Sequence, residues 1–214
     1  MMEKIQIKSC SGELLFEYEE EDNTIAKILD FAIRRNIDLR DVDLYDVGLY
    51  GAKLRGVNLC NADLCCADLR NADLYGANLR NADLNCANLQ KANLSCANLH
   101  NAALSCADLR KADLREANLH NADLTYANLH CADLRNADLR NADLCNAHLD
   151  SLVFELSCRS TTAKTSEKQR IQLCYQFLSW IKYADNATEE EKKIFKLCKR
   201  YANKASGDEV EKIK

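Results

Sequence analysis

From Leu39 to Leu149 a leucine returns at every fifth position, 23 times in succession. Two places before each stands a small or β-branched residue: Ile37, Val42 and Val47 at first, then alanine at every step but Val57. The position between is Asp or Asn in most repeats, and the two after the leucine vary. On an α-helix a five-residue step turns a side chain by about 140°, so these leucines would scatter around the axis. In a flat strand an odd step sends successive leucines to opposite faces. A short extended segment followed by a turn does bury the pattern. Within Ala-Asx-Leu the first and third side chains share the inner side, Asp or Asn faces out, and the next two residues turn the corner.

The flanks follow other periods. KIQIK and ELLFEYE alternate as two strands joined by the hairpin turn SCSG, and NTIAKILDFAIRR carries Ile25, Ile28, Leu29, Ala32 and Ile33 at helical spacing, with Asn23 as an N-cap. The larger Ile37, Val42 and Val47 widen the first coil where this segment docks. After Ser151 the repeat stops. Ser166-Glu-Lys-Gln169 and Thr188-Glu-Glu-Glu191 are capping boxes that open two amphipathic helices, roughly 166–184 and 189–206. The first is apolar around much of its girth through Tyr175, Phe177, Leu178, Trp180 and Ile181, enough to cover a last coil on one side and meet a second subunit on another. Three segments result: a hairpin-plus-helix cap over residues 1–36, the repeat over 37–151, and a C-terminal helical pair over 152–214.

The repeat resembles the pentapeptide-repeat family, whose motif is a small residue, Asp or Asn, Leu or Phe, then two variable positions. ADLRN, ADLYG and ANLQK match it as they stand. The resemblance implies an all-β right-handed quadrilateral β-helix with four repeats per coil and about 4.8 Å between coils. Five to six coils would make a rod of roughly 27 Å. The first 40 residues resemble the leader of phage- and prophage-encoded members, and the family's habit of pairing through C-terminal ends implies a homodimer.

Composition narrows the setting. There is no Pro and only 6 Gly, unlike a loop-rich enzyme, and the net charge of −4 demands neither nucleic acid nor a membrane surface. No apolar run is long enough to span a bilayer, and the charged start does not read as an export signal. The 12 Cys, scattered through a chain long enough to bury a core, read as reduced thiols of a cytoplasmic protein.

A 20-residue coil sorts the charges by face. The faces centred on Leu39, Leu49 and Leu54 each mix acids with bases, and the first also stacks Asn61, Asn81, Asn101, Asn121 and Asn141 in a column that suits an amide ladder. The face centred on Leu44 carries Asp43, Asp46, Asp63, Asp83, Asp123 and Asp143 and no Lys or Arg. Six acids over six coils approach the spacing of phosphates along a DNA strand, about 3.4 Å. The family's quinolone-resistance and gyrase-inhibiting members are rods that resemble duplex DNA. The resemblance therefore implies a protein partner that handles DNA, a type II topoisomerase or a host defence protein, with no direct nucleic-acid contact and no membrane. A solvated face with no partner explains the same aspartates. The alternative is an adaptor rod whose cap and basic helix, with Lys192, Lys193, Lys196, Lys199, Arg200 and Lys204, meet an anionic partner.

Cys66, Cys86 and Cys106 form one column with Cys65 beside them, within disulfide reach on the coil spacing but without zinc-site spacing, and they read as small semi-buried fillers. His100 and His120 stack, and His130 and His148 share no partner. No nucleophile–base pair, phosphate loop or cofactor fingerprint occurs. The sequence reads as a non-enzymatic interaction protein with no cofactor and no metal.

Overall fold

The structure is a computed structural model that describes residues 4–19 and 25–149. The C-terminal helical pair, with Tyr175, Phe177, Leu178, Trp180 and Ile181, and the N-cap Asn23 lie outside the described residues.

Strands β1 (Lys4–Lys8) and β2 (Leu14–Glu19) form an antiparallel hairpin. Its turn closes where the Gly12 N–H donates to the Ser9 carbonyl and the Ser9 N–H to the Glu13 carbonyl. Gly12 sits at φ 84°, a conformation that a side chain would resist. Helix α1 (Ile25–Arg34) buries Ile28, Leu29 and Ala32, and Phe31 meets Tyr18 of β2 with ring centroids 4.7 Å apart. The helix ends in a Schellman turn: Ile37 N–H donates to Ala32 C=O and Asn36 N–H to Ile33 C=O, with Asn36 left-handed at φ 54°.

From there the chain coils. Each outward Asp, Asn or other residue bridges in parallel to the one 20 residues on, from Asp43–Asp63 through Asn128–His148. Four turns thus close each coil, as the square coil requires. The hairpin meets the first coil through the Ser9–Val42 antiparallel bridge, with Asp43 N–H donating to Lys8 C=O and Cys10 N–H to Asp41 C=O. Leucines 39 to 149 and alanines 52 to 147 of the repeat are buried, so the core is two apolar layers stacked along the axis. Val42 is buried as well, whereas Ile37 and Val47 are half-buried.

All five N–H groups of a typical repeat find acceptors, and the coil centred on Leu64 shows how. Asp63 N–H reaches back to Val42 C=O, while Leu64 and Cys66 N–H reach forward to Asp83 and Asn85 C=O. Ala67 N–H closes the turn on Leu64 C=O. The fifth donor, Cys65 N–H, is met by the Oδ1 of Asp63 at 2.9 Å. The same bond recurs wherever Asp or Asn precedes the leucine, as in Tyr45–Asp43, Cys60–Asn58, Thr125–Asp123 and Cys145–Asp143. It is an Asx-turn, and it explains why this position takes Asp or Asn without preference.

The second residue after each leucine is left-handed throughout, with φ between 55° and 64° from Asp41 to Asn146. That is the third position of the turn, where φ must be positive, and Asn, Asp and Gly tolerate it best. On one corner the asparagines also form a ladder. Nδ2 of Asn121, Asn101, Asn81 and Asn61 donates in turn to Oδ1 of Asn101, Asn81, Asn61 and Asp41, at 2.9 to 3.2 Å. All these amides point one way, and the carboxylate of Asp41 takes the last donor as a charge-assisted bond.

Two substitutions separate core from corner. Leu89→Ala is expected to cost about 2–5 kcal/mol from lost burial and the cavity left behind. Asn101→Ala, which loses a ladder link and leaves a Cβ residue in a left-handed corner, is expected to cost about 1–2 kcal/mol. Chemical denaturation followed by circular dichroism measures both.

Candidate functional site

The structure places the six predicted aspartates unequally. Asp43, Asp63, Asp83, Asp123 and Asp143 stand in one column of parallel bridges. Asp46 does not: it occupies the next corner, left-handed at φ 55°, at the head of the column that continues through Cys66, Cys86, Cys106 and Tyr126. Between Asp83 and Asp123 the column holds Ala103. The even run of six charges expected from the sequence is therefore three carboxylates, a methyl gap of one coil, and two more.

Ala103 removes the acceptor that the Ser105 N–H would use. Asn85, one coil back, supplies it, and its Oδ1 accepts from Ser105 N–H at 2.9 Å. Thr125 Oγ1 then donates to Ser105 Oγ at 3.0 Å. Position 85 varies freely in the motif, so nothing in the repeat marks Asn85; the signal was the lone Ala in an otherwise Asx position.

The aspartates of the other faces differ in their surroundings. Where Asp-Leu is followed by Arg, the guanidinium folds back onto that Asp. Arg70–Asp68, Arg110–Asp108, Arg115–Asp113, Arg135–Asp133 and Arg140–Asp138 all pair this way, through two parallel bonds of 2.6–2.9 Å. The Arg115 side-chain bond holds the Asp113 carboxyl below the usual carboxylate range, and the Arg140 bond does the same for Asp138. Asp73 is met by Arg55 at 3.4 Å and by Asn93 Nδ2 at 3.0 Å. On the Leu44 face the residues after each leucine are Tyr45, Cys65, Asn85, Ser105, Thr125 and Cys145, none of them cationic. One carboxylate oxygen in each column member takes the backbone N–H, as above, which fixes the group's orientation on the coil.

Two aromatic side chains that the charge count overlooked flank this column. Tyr45 is 57% exposed and Tyr126 61%, the latter at a left-handed corner, φ 59°. A bulky residue at positive φ is an outlier that the fold does not need there. Their signal was legible as tyrosines in the variable positions of an acidic face.

The thiol column differs from the reading as semi-buried filler. Cys66 is half-buried, but Cys86 and Cys106 are exposed, because a corner residue at φ near 60° projects away from the core. Cys65 Sγ lies 3.7 Å from Cys66 Sγ, and burial followed by the Cys66 contact pushes the Cys65 thiol up to about 12. His100 and His120 stack with centroids 5.2 Å apart and planes within 2°, and the Nδ1 of His120 is buried without a hydrogen-bond partner. Among the described residues no group of three or more His, Cys, Asp or Glu has the geometry to hold a metal ion, and no helix is long and apolar enough to cross a membrane.

The family model described as pentapeptide repeats matches eight copies, in spans that run from residue 29 to residue 156, more than half of the 214-residue chain. The chain belongs to the pentapeptide-repeat family. The right-handed β-helix solenoid is this family's fold, and its members are in general structural or interaction modules. Similar solved structures include the pentapeptide-repeat protein Rfr23 from the cyanobacterium Cyanothece 51142, at 27% identity over 65% of this chain and 95% of that one, TM-score 0.42. Another is a pentapeptide-repeat protein of the Arabidopsis thaliana thylakoid lumen, at 27% identity over 60% and 74%, TM-score 0.39. Full-length QnrB1, a plasmid-mediated fluoroquinolone resistance protein, matches at 15% identity over 63% and 96%, TM-score 0.30. None of the curated proteins matches the chain.

Two outcomes test the electrostatic and hydrogen-bond assignments in this pentapeptide-repeat protein. Asn85→Ala is expected to destabilise by about 1 kcal/mol, and adding Ala103→Asp should remove the loss by restoring the local acceptor. Thermal unfolding of the two variants measures it. Arg115→Gln should be less stable than the parent at neutral pH, because the depressed Asp113 carboxyl contributes stability only while ionised. The gap between the two should close as pH falls below about 4, where the unfolded carboxyl, and then the folded one, protonates.

Proposed function

We propose that this chain is a non-catalytic interaction module whose Leu44 face imitates the backbone of a nucleic acid toward a DNA-handling protein, a type II topoisomerase or a host defence factor. One observation carries the reading. On the three other faces aspartates stand among bases, and most are clamped by an arginine of the same repeat, whereas the acidic column is built from repeats that carry no base at all. Each of its carboxylates is pinned through one oxygen to the backbone, so the charge is held in a fixed orientation at the coil spacing, about 4.8 Å, with a two-coil step across Ala103. A fixed row of anions on a rigid support costs a cationic partner little ordering on the anionic side. Tyr45 and Tyr126 at the border would supply the aromatic contacts that commonly dominate such interfaces. The hairpin and α1 serve as the N-terminal cap that closes the first coil, whose edge would otherwise present unpaired backbone.

The decisive variant replaces Asp63, Asp83, Asp123 and Asp143 by Asn. Asparagine retains the Oδ1 acceptor, as Asn58, Asn78 and Asn98 do in their own repeats, so the melting curve should stay close to the parent's. Inhibition of a purified bacterial type II topoisomerase in a supercoiling assay, present with the parent chain, should be lost in the variant. A variant that folds and inhibits as well as the parent sinks the proposal.

A further inference from the structure

We propose that Cys66, Cys86 and Cys106 form a binding site for a soft monovalent cation of the Cu(I) class, held two-coordinate between thiolates of successive coils. The three side chains occupy the same corner of consecutive coils, where Cys66 N–H donates to Asn85 C=O and Cys86 N–H to Ser105 C=O. Their φ angles of 62°, 58° and 60° match to within a few degrees, so the three Cβ vectors leave the backbone alike. The repeat distance of the coil, about 4.8 Å, then sets the sulfur spacing. Two metal–thiolate bonds of about 2.3 Å laid end to end span about 4.6 Å, which fits that spacing without moving the backbone. A tetrahedral site would need four ligands around a point, and a column of thiols offers none. A linear site needs two, and Cys86 is shared between two such gaps.

The choice of cysteine at these corners is not explained by the fold. Asn, Asp and Gly hold most equivalent corners and accept positive φ more readily than cysteine does. Exposed Cys86 and Cys106 contribute no core packing.

Electrostatics separates cation capture from its rival, oxidation to a cross-coil disulfide. Disulfide formation needs an attacking thiolate, and reactive thiols sit in electropositive surroundings. This column stands beside Asp43, Asp63 and Asp83 and below Asp46, with no base on its face. The same field draws in a cation, and a soft cation displaces the thiol protons outright. The balance is two thiols plus one monovalent ion giving a bis-thiolate complex and two protons. One negative charge remains where two bare thiolates would leave two. The ligands are residues other than the four aspartates substituted above, and the readout is metal capture rather than topoisomerase inhibition, so the nucleic-acid-mimic reading and this one can fail separately.

The test uses the full reduced chain under anaerobic conditions, with Cu(I) supplied as its acetonitrile complex in competition with bicinchoninate. The parent should withdraw Cu(I) from the chelator and develop a near-ultraviolet thiolate-to-copper band. Cys86→Ser should lower the captured Cu(I) by about one equivalent per chain or weaken capture at least tenfold. Cys96→Ser should match the parent, since Cys96 is an exposed corner thiol with Glu116, not a thiol, on the next coil at 3.6 Å. The double variant Cys66→Ser/Cys106→Ser, which leaves Cys86 with no thiol above or below, should behave as Cys86→Ser does and guards against a folding defect in any one variant. Equal capture by Cys86→Ser and the parent overturns the proposal, as does a parent that cannot compete with bicinchoninate.

Discussion

One backbone donor in every repeat has no carbonyl to go to, and the rest of the structure is arranged around it. Three of the five N–H groups bond to neighbouring coils and a fourth closes the turn. The fifth, on the residue after the leucine, has no backbone acceptor and in most repeats is met by the side chain of the Asp or Asn before the leucine. Asp and Asn are short enough to do this from two residues back, which is the reason for their return every five residues. At Ala103, where the local acceptor is missing, Asn85 reaches over from the previous coil. Buried or half-buried backbone donors left unmet are costly enough that the fold recruits a substitute.

That constraint leaves a choice, and function can enter through it. Asp and Asn satisfy the donor equally, so the sign of each outward position is open. On three faces the charged choices occur together with Arg, Lys or His, and an arginine after the leucine closes on its own aspartate in a bidentate pair. On the Leu44 face aspartate recurs with uncharged residues. The same hydrogen bond that satisfies the backbone there also fixes the orientation of an anion. Structure and charge display share one atom pair, and this allows a charge-removing Asp→Asn change to separate them.

Much of this was legible in the residues. The five-residue period excluded helix and flat strand, and the alternation of KIQIK and ELLFEYE and the spacing of Ile28, Leu29 and Ala32 marked the hairpin and helix that β1, β2 and α1 form. The amide column of Asn61 to Asn121 was visible too. The direction of the ladder and its end at the Asp41 carboxylate were not, because they depend on how amides orient between coils. Cys86 and Cys106 read as filler because thiols are commonly buried; the left-handed corner, which turns them outward, is a backbone property.

By itself the sequence determined the local rule: which side chains face in, where the chain turns, which positions need an oxygen acceptor, and how many charges the coil carries. It did so because each of these depends on residues within one repeat. The tertiary structure decided which repeats are neighbours. Twenty residues separate Asp63 from Asp83 and Cys66 from Cys86, and 18 separate Arg55 from Asp73, and a five-residue period contains no statement about a coil of 20. The size of the coil follows from how four buried leucines and four alanines close around an axis, a packing condition that no single repeat can express. Once that is set, charges and thiols far apart in the chain stand about 4.8 Å apart on one surface.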